Sequence, residues 1–463
     1  DYLNDDVANV FANGTIDYSF TWKLPEKLRK DLSNPKLKWI ILINPPFATS
    51  QTAGAKSKSK ADVSNTNVRK VMHQKGLGET SRELAMQFIF RIKKEFYQKE
   101  AHLGLFYKIK HLNSNNDQKL RDTIFRFKYE NGFGFSSANF SGTSQASPFP
   151  VAFMLWKISE DIHLDKQKLK LDIFNDEVVK IAVKTIEVEK REKHLNKWIK
   201  RPSATQKFPP VGSAINIKTQ NKDARDRVAS GFLASFMCGG NDFQHQNKTC
   251  FLSAPYVSAG ALSVTAENFE KAMVIHAVRR IPKTTWINDR DQFLIPKKTL
   301  SQAFINDCTV WNLFSNSNQT SALKDVVYEK ETYQINNHLF PFLVSELKSW
   351  TITDSDIARS LASVSDRFAA KWLSEHTLSP EAQAVLDAGK ELYKYYFANL
   401  NQLRTQLFEI KTWDAGFWQI RNVLHDQNLA DDLFKSLKEK HDTLRRKLLP
   451  QIYEYEFIPK IDV

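Results

Sequence analysis

The pattern of apolar and polar positions changes texture along the chain. Lys36–Ile43 (KLKWIILI) ends in a short unbroken apolar run, which predicts a buried strand. Ser81–Tyr97 places Leu84, Phe88 and Ile92 on one helical face, with Ser81 as the expected N-cap and Glu83 in the first turn. Leu103–Ile109 and Val151–Ile158 predict further strands, so residues 1–160 have the alternation of an α/β segment. Leu171–Phe174 and Val178–Val188 predict strands of a new unit, and proline-rich Arg201–Gly212 a loop or junction. Residues 351–463 predict mainly helix. Asp354 opens one helix, and Ser379-Pro380-Glu381 combines a cap, a first-turn proline and an acid. Leu429–Leu449 predicts a long helix that turns basic at Arg445, Arg446 and Lys447.

Length and composition narrow this picture. A chain of 463 residues predicts two to four domains, and the texture changes set them at 1–165, 166–350 and 351–463. With 42% hydrophobic residues, wholesale disorder is excluded. No apolar run approaches a membrane span, and no secretion signal opens the sequence. The chain begins at Asp1 rather than Met, which leads us to expect a preceding segment. Lys plus Arg is 66 and Asp plus Glu 52, a net charge of +14 that suits a polyanionic partner. Cys238, Cys250 and Cys308 are too few for a disulfide framework and fit a reducing cytoplasm. Cys238, His245 and Cys250 have unusual spacings and no fourth ligand, so no metal is expected.

Thr49–Thr80 is almost free of large apolar residues. It carries Lys56, Lys58, Lys60, Arg69, Lys70 and Lys75 against Asp62 and Glu79. It reads as a basic loop between a strand and a helix, either a solvated connector or an element that closes over nucleic acid.

Directly after the strand at Lys36–Ile43 stands Asn44-Pro45-Pro46-Phe47. Ligands of open α/β sheets bind at the carboxyl ends of strands. The residue types suit chemistry at a conjugated amino nitrogen, whose lone pair is delocalised into a ring. Acceptors on its two N–H bonds favour a pyramidal nitrogen that can attack. The Asn44 side-chain oxygen and the Pro45 carbonyl are the candidate acceptors. Two prolines hold such a turn rigid. Phe47 offers a flat face, and base stacking of that kind contributes about 1–3 kcal/mol.

The motif and its setting resemble the gamma-class amino-methyltransferases that make N6-methyladenine in DNA. Asp1-Tyr2-Leu3 resembles the family's Asp-aromatic-Leu element, whose acid contacts the adenine of S-adenosylmethionine. Glu83–Ile92 resembles the helix after the catalytic loop, Leu103–Ile109 the next strand, and Phe149–Ile158 a later strand walling the target-base pocket. The resemblance covers residues 1–160. It implies an α/β fold: part of a Rossmann-like methyltransferase sheet, then a mixed α+β recognition region and a mainly helical C-terminal region. It also implies catalysis by Asn44, Pro45, Pro46 and Phe47, and S-adenosylmethionine contacts at Asp1 and Asn44. Double-stranded DNA would be held partly by Lys56, Lys58, Lys60, Arg69 and Lys70, in the cytoplasm, for restriction-modification or phage defence.

The family's Gly-rich donor loop and acidic ribose contact precede the Asp element and are not in this sequence. Asn131–Gly134 (NGFG) and Phe140–Thr143 (FSGT) are the only substitutes. Three alternatives therefore stand beside the adenine enzyme. One is a catalytically silent or split-enzyme subunit whose donor site lies on a missing N-terminal segment or a second chain. The others are N4-cytosine and protein-glutamine methylation.

Overall fold

The computed structural model describes residues 1–11, 18, 23–46, 66–139, 148–210, 226–255, 261–403, 413–459 and 461–462. The chain divides into two units. The first is Asp1–Lys193 with Thr284–Gln292 and Pro459–Val463; the second is His194–Lys283 with Phe293–Ile458.

The first unit is mixed α/β. Its elements are α1 (Val7–Phe11), α2 (Glu26–Ser33), β1 (Trp39–Ile43), α3 (Asn67–Gln74), α4 (Leu84–Phe96), β2 (Ala101–Lys108), α5 (Lys110–Asn113) and α6 (Gln118–Thr123). Strands β3 (Phe127–Ser136), β4 (Pro150–Asp161), β5 (Lys168–Phe174) and β6 (Lys180–Glu187) follow. They form one sheet, ordered β1-β2-β4-β3-β5-β6 and closed by Ile461–Asp462. β1 and β2 run parallel, as do β3 and β5, while β4 lies antiparallel between β2 and β3. One sheet face packs on α4, whose Ala85, Met86, Ile89 and Phe90 share a core with Leu103, Leu105, Met154 and Trp156.

Four expectations are corrected here. β1 is an edge strand among the described residues, not a buried one: Ile40 is 75% and Leu42 70% exposed. An apolar run does not reveal whether both of its faces are covered. The same open face carries Phe106, Phe133, Phe135, Phe153 and Phe174, with ring centroids 5.5–6.1 Å apart. Gly104 leaves room for this packing, since a Cβ there would lie 2.5 Å from Leu42 Cδ2. Second, β5 and β6 extend this sheet and do not begin a new unit. Third, the basic stretch is not a loop throughout. Thr66 caps α3, which buries Val68 and Met72, and a 3-10 turn follows at Gly78–Arg82. Fourth, that turn displaces the start of α4, so Glu83 and not Ser81 occupies its N-cap position.

The second unit has β7 (Ala204–Lys207), β8 (Arg227–Ala229), β9 (Ala234–Cys238), β10 (Thr249–Leu252), β11 (Leu262–Val264), α7 (Phe269–Arg280), α8 (Gln302–Leu313) and β12 (Asn318–Gln319). β13 (Leu323–Tyr328), β14 (Glu331–Ile335), α9 (Val344–Lys348), α10 (Ser355–Ser360), α11 (Phe368–Ser374), α12 (Pro380–Ala398), α13 (Phe417–Asp426) and α14 (Asp431–Glu454) complete it. A four-stranded sheet, β11-β9-β10-β12, sits with α7 and α8 in a single core running from Leu195 to Ile458. The helices after residue 350 thus complete the core begun by α7 and α8. Asp354 caps α10 through bonds from Asp356 and Ile357 N–H, and Ser379 caps α12 with Pro380 in its first turn. β7 falls inside the stretch expected to be a proline-rich loop.

Candidate active site

Asn44, Pro45 and Pro46 leave the carboxyl end of β1. Asn44 and Pro46 are exposed and Pro45 is buried, which anchors the turn while leaving the Asn44 amide in solvent. The pairing of Ile43 with Leu105 sets this turn beside the carboxyl end of β2. Phe47, Lys56, Lys58 and Lys60 lie outside the described residues. Arg69 and Lys70 lie on α3, away from its buried Val68 and Met72; Lys70 is exposed and donates to Asn67 Oδ1 at 3.2 Å.

The Asp1-Tyr2-Leu3 element is tied to both helices that follow β1. Leu3 is buried and its carbonyl accepts from Val68 N–H at 3.1 Å, at the start of α3. Asn67 donates its N–H to Asn4 Oδ1 and its Nδ2 to the Asn4 carbonyl, both at 3.0 Å. Tyr2 stacks on Phe88 at 5.7 Å, and the Arg91 guanidinium lies 4.3 Å over its ring. Tyr2 donates its hydroxyl to Glu95 at 2.9 Å, and Glu95 pairs with Arg91 at 2.8 Å in a buried α4 ion pair. Arg91 also donates to the carbonyls of Tyr2 and Asp5. Burial, reinforced by Glu95, pushes the Tyr2 phenol well above its ordinary pKa. Asp1 itself is exposed; its carboxylate accepts from Leu3 N–H at 3.0 Å and Asn4 Nδ2 at 2.7 Å.

A polar cluster that the sequence did not single out sits at the carboxyl end of β2. Glu83 receives the Tyr107 hydroxyl at 3.2 Å and lies 3.5 Å from Lys108 and 3.6 Å from Lys110. Burial pushes the Tyr107 phenol up, and Glu83 adds to the effect. Burial lowers Lys108, partly offset by Glu83. His111 is buried, bonds the Lys108 carbonyl at 3.0 Å and is lowered by burial to about 4. From far along the chain, Arg290 reaches this unit with its guanidinium 5.6 Å over Phe149, the start of the strand expected to wall a base pocket. Trp286 and Ile287 pack on the same core, and Lys184 binds Asp291 at 2.5–2.6 Å in a fully buried pair. Nothing local in sequence flags Arg290, which lies far along the chain from Phe149.

The donor-loop substitute Asn131–Gly134 lies inside β3, so it forms no ligand-cradling turn, and Phe140–Thr143 falls outside the described residues. In the second unit, Cys238 accepts from Arg279 and His245 pairs with Asp242; no group of three metal-binding side chains occurs among the described residues. No described helix is long and apolar enough to cross a membrane.

No protein-family model matches the sequence, and no curated protein is similar to it. Among solved structures, the chain is similar to the Type IIL restriction-modification enzyme MmeI in complex with DNA, at 11% identity and a TM-score of 0.24. The likeness covers 89% of this chain and 54% of that one, so the chain spans about half the length of that enzyme. A likeness at this level fixes neither fold nor function.

Proposed function

We propose that the chain carries the target-base half of a DNA adenine-N6 methyltransferase of a restriction-modification or phage-defence system. The observation that carries this reading is the Asn44-Pro45-Pro46 turn at the carboxyl end of a parallel-paired strand. The Asp1–Leu3 element, which resembles the family's donor-adenine element, is bonded into the two helices after that strand.

S-adenosylmethionine is the implied donor and supplies, when bound, an activated methyl group. Asp1 fits the adenine end of that donor, because its carboxylate is exposed and held in a fixed turn. The described residues do not fit the rest of it, since Asn131–Gly134 lies in a strand and no Gly-rich turn that would cradle it occurs among them. The chain's own contribution is on the acceptor side. A flipped-out adenine would place its N6–H bonds on the Asn44 amide oxygen and the Pro45 carbonyl. Proline rigidity keeps the Pro45 carbonyl and the backbone that carries Asn44 in place without reorganisation. Arg69 and Lys70 on α3, with the lysines at 56, 58 and 60, would meet phosphates.

The strand placement of Asn131–Gly134 favours a second reading, a silent or split-enzyme subunit whose donor site is supplied by another segment or chain. The test is transfer of labelled methyl to duplex DNA followed by nucleoside analysis, for the chain alone and with any native upstream sequence. N6-methyladenine that disappears in Asn44→Ala, with DNA affinity retained, supports the enzyme. Turnover retained in Asn44→Ala overturns the role of Asn44. Label in N4-methylcytosine or in protein glutamine replaces the adenine reading. No label from either form, with DNA binding retained, selects the second reading.

A further inference from the structure

In the second unit an open cleft of about 880 Å³ separates the carboxyl end of α7 from one face of α14. It is lined by Arg280, Lys283, Lys440, Arg445 and Arg446 against Glu439 and Asp442, an excess of three positive charges. The cations are not equivalent. Lys447, next in sequence, is turned inward, bonding Glu381 at 2.8 Å and Asp307 at 2.9 Å. Arg445 spans the cleft floor, reaching the Ile281 carbonyl at 3.4 Å and Asp442 at 3.6 Å. Arg280 is steadied by the Gln246 carbonyl at 3.3 Å and Asn247 Oδ1 at 3.2 Å. Among the described residues Lys440 has no ion pair, and the exposed Arg446 side chain donates only to Thr443. Lys440, Thr443 and Arg446 all line the cleft and span about 9 Å along the helix. That run matches two to three successive phosphates at about 3.4 Å of axial rise per strand.

We propose that this cleft holds the phosphate backbone of duplex DNA, with Lys440 and Arg446 on one wall and Arg280 on the other. The inference rests on the reading of DNA as the partner and adds where the second unit grips it. Phosphate contacts position a duplex without reading its bases, so the cleft contributes affinity rather than sequence choice.

The test is fluorescence anisotropy of the full chain with a mixed-sequence duplex across a salt series. Lys440→Ala with Arg446→Ala should weaken binding about tenfold and flatten the slope of log affinity against log salt by about 1.8, two contacts at about 0.9 each. Glu439→Gln should strengthen binding, and it keeps the test decisive if the double variant melts early. Lys371→Ala, an exposed cation on α11, should leave the slope within error of the parent. An unchanged slope in the double variant overturns the proposal. So does an equal loss in Lys371→Ala, which would mean diffuse charge, or a parent that binds inorganic phosphate but not duplex. Asn44→Ala separates the two sites: if it retains the parent slope while no form transfers methyl, the methyltransferase reading fails and the cleft stands.

Discussion

Arg91 fastens the Asp1–Asp5 segment to α4, and removing its charge should release that segment. The side chains of Arg91 and Glu95 are 5% and 6% exposed and 2.8 Å apart. Arg91→Met leaves the buried Glu95 carboxylate without its ion-pair partner, with the Tyr2 hydroxyl still donating to it, and strips the carbonyls of Tyr2 and Asp5 of this donor. Breaking one side of a buried pair costs about 3–5 kcal/mol. Removing both charges, in Arg91→Met with Glu95→Met, leaves the unmet Tyr2 hydroxyl and carbonyls, about 1–3 kcal/mol for each buried group. The double variant should therefore be less destabilised than the sum of its singles. Two units need not unfold together, so the assay is amide hydrogen exchange of Leu3–Phe11 and Leu84–Phe96 rather than one global melt. At 1.36 kcal/mol per decade, Arg91→Met should lower protection there by about two to nearly four decades. Protection within threefold of the parent would refute the anchoring role.

Three other outcomes test the packing. His276 is buried, stacks on Phe251 at 4.7 Å, bonds Asn312 Oδ1 at 2.5 Å and Ser317 Oγ at 3.0 Å, and is lowered by burial to about 3. The unfolded chain takes this proton below about 6.5 and the folded one does not. Stability from His276 is thus full above 6.5 and falls towards 3, by about 2.7 kcal/mol at pH 4.5. Denaturation of the second unit at several pH values should show this slope in the parent and a shallower one in His276→Gln; equal slopes would count against it. Gly416→Ala would place a Cβ 1.8 Å from the Thr320 carbonyl oxygen, a backbone clash, and should cost about 3 kcal/mol or more; a melting temperature within a degree of the parent would contradict the packing. Lys184→Met strands Asp291 in the core at a cost of about 3–5 kcal/mol and should expose Thr284–Gln292 to protease, while adding Asp291→Asn should restore resistance. Equal cleavage in both variants would show that the pair does not hold that segment.

What was legible in the sequence was whatever a few neighbouring residues decide. Ser379-Pro380-Glu381 marks a helix start because the Ser379 hydroxyl bonds Ala382 N–H, a contact three residues away. The apolar spacing in α4 is equally local. The edge position of β1 was not legible, since Trp39–Ile43 looks the same whether a strand lies on one side or both. Nor was the parallel pairing of β5 with β3, which joins residues across the intervening β4. Arg279 shows the same limit on burial. It lies in the last turn of α7, where an arginine is ordinarily exposed, yet it is fully buried. Its two terminal guanidinium nitrogens donate to Cys238 Sγ and the carbonyls of Gly239, Gly240 and His245, none of which its own helix supplies.

The candidate site divides along the same line. Asn44-Pro45-Pro46 was legible because rigidity and acceptor chemistry belong to the turn itself. The groups that set the electrostatics of the adjoining sheet end were not, because each arrives from elsewhere. Glu83 comes from the start of α4, Tyr107 and Lys108 from the end of β2, and Arg290 from a segment whose neighbours in sequence belong to the other unit. Their arrangement has a direction. Lys108, Lys110 and Arg290 stand against Glu83 and against Asp289, which pairs with Arg290 at 3.0 Å, leaving an excess of one positive charge, and burial with Glu83 keeps the Tyr107 phenol protonated at neutral pH. A cationic sheet end suits an incoming phosphodiester and disfavours a carboxylate-rich peptide. On the proposed function, this charge favours a nucleic-acid substrate over a protein glutamine. It also predicts that Arg290→Gln weakens DNA capture more than it alters the fold, whereas an unchanged affinity with a lowered melting temperature would make Arg290 a packing residue.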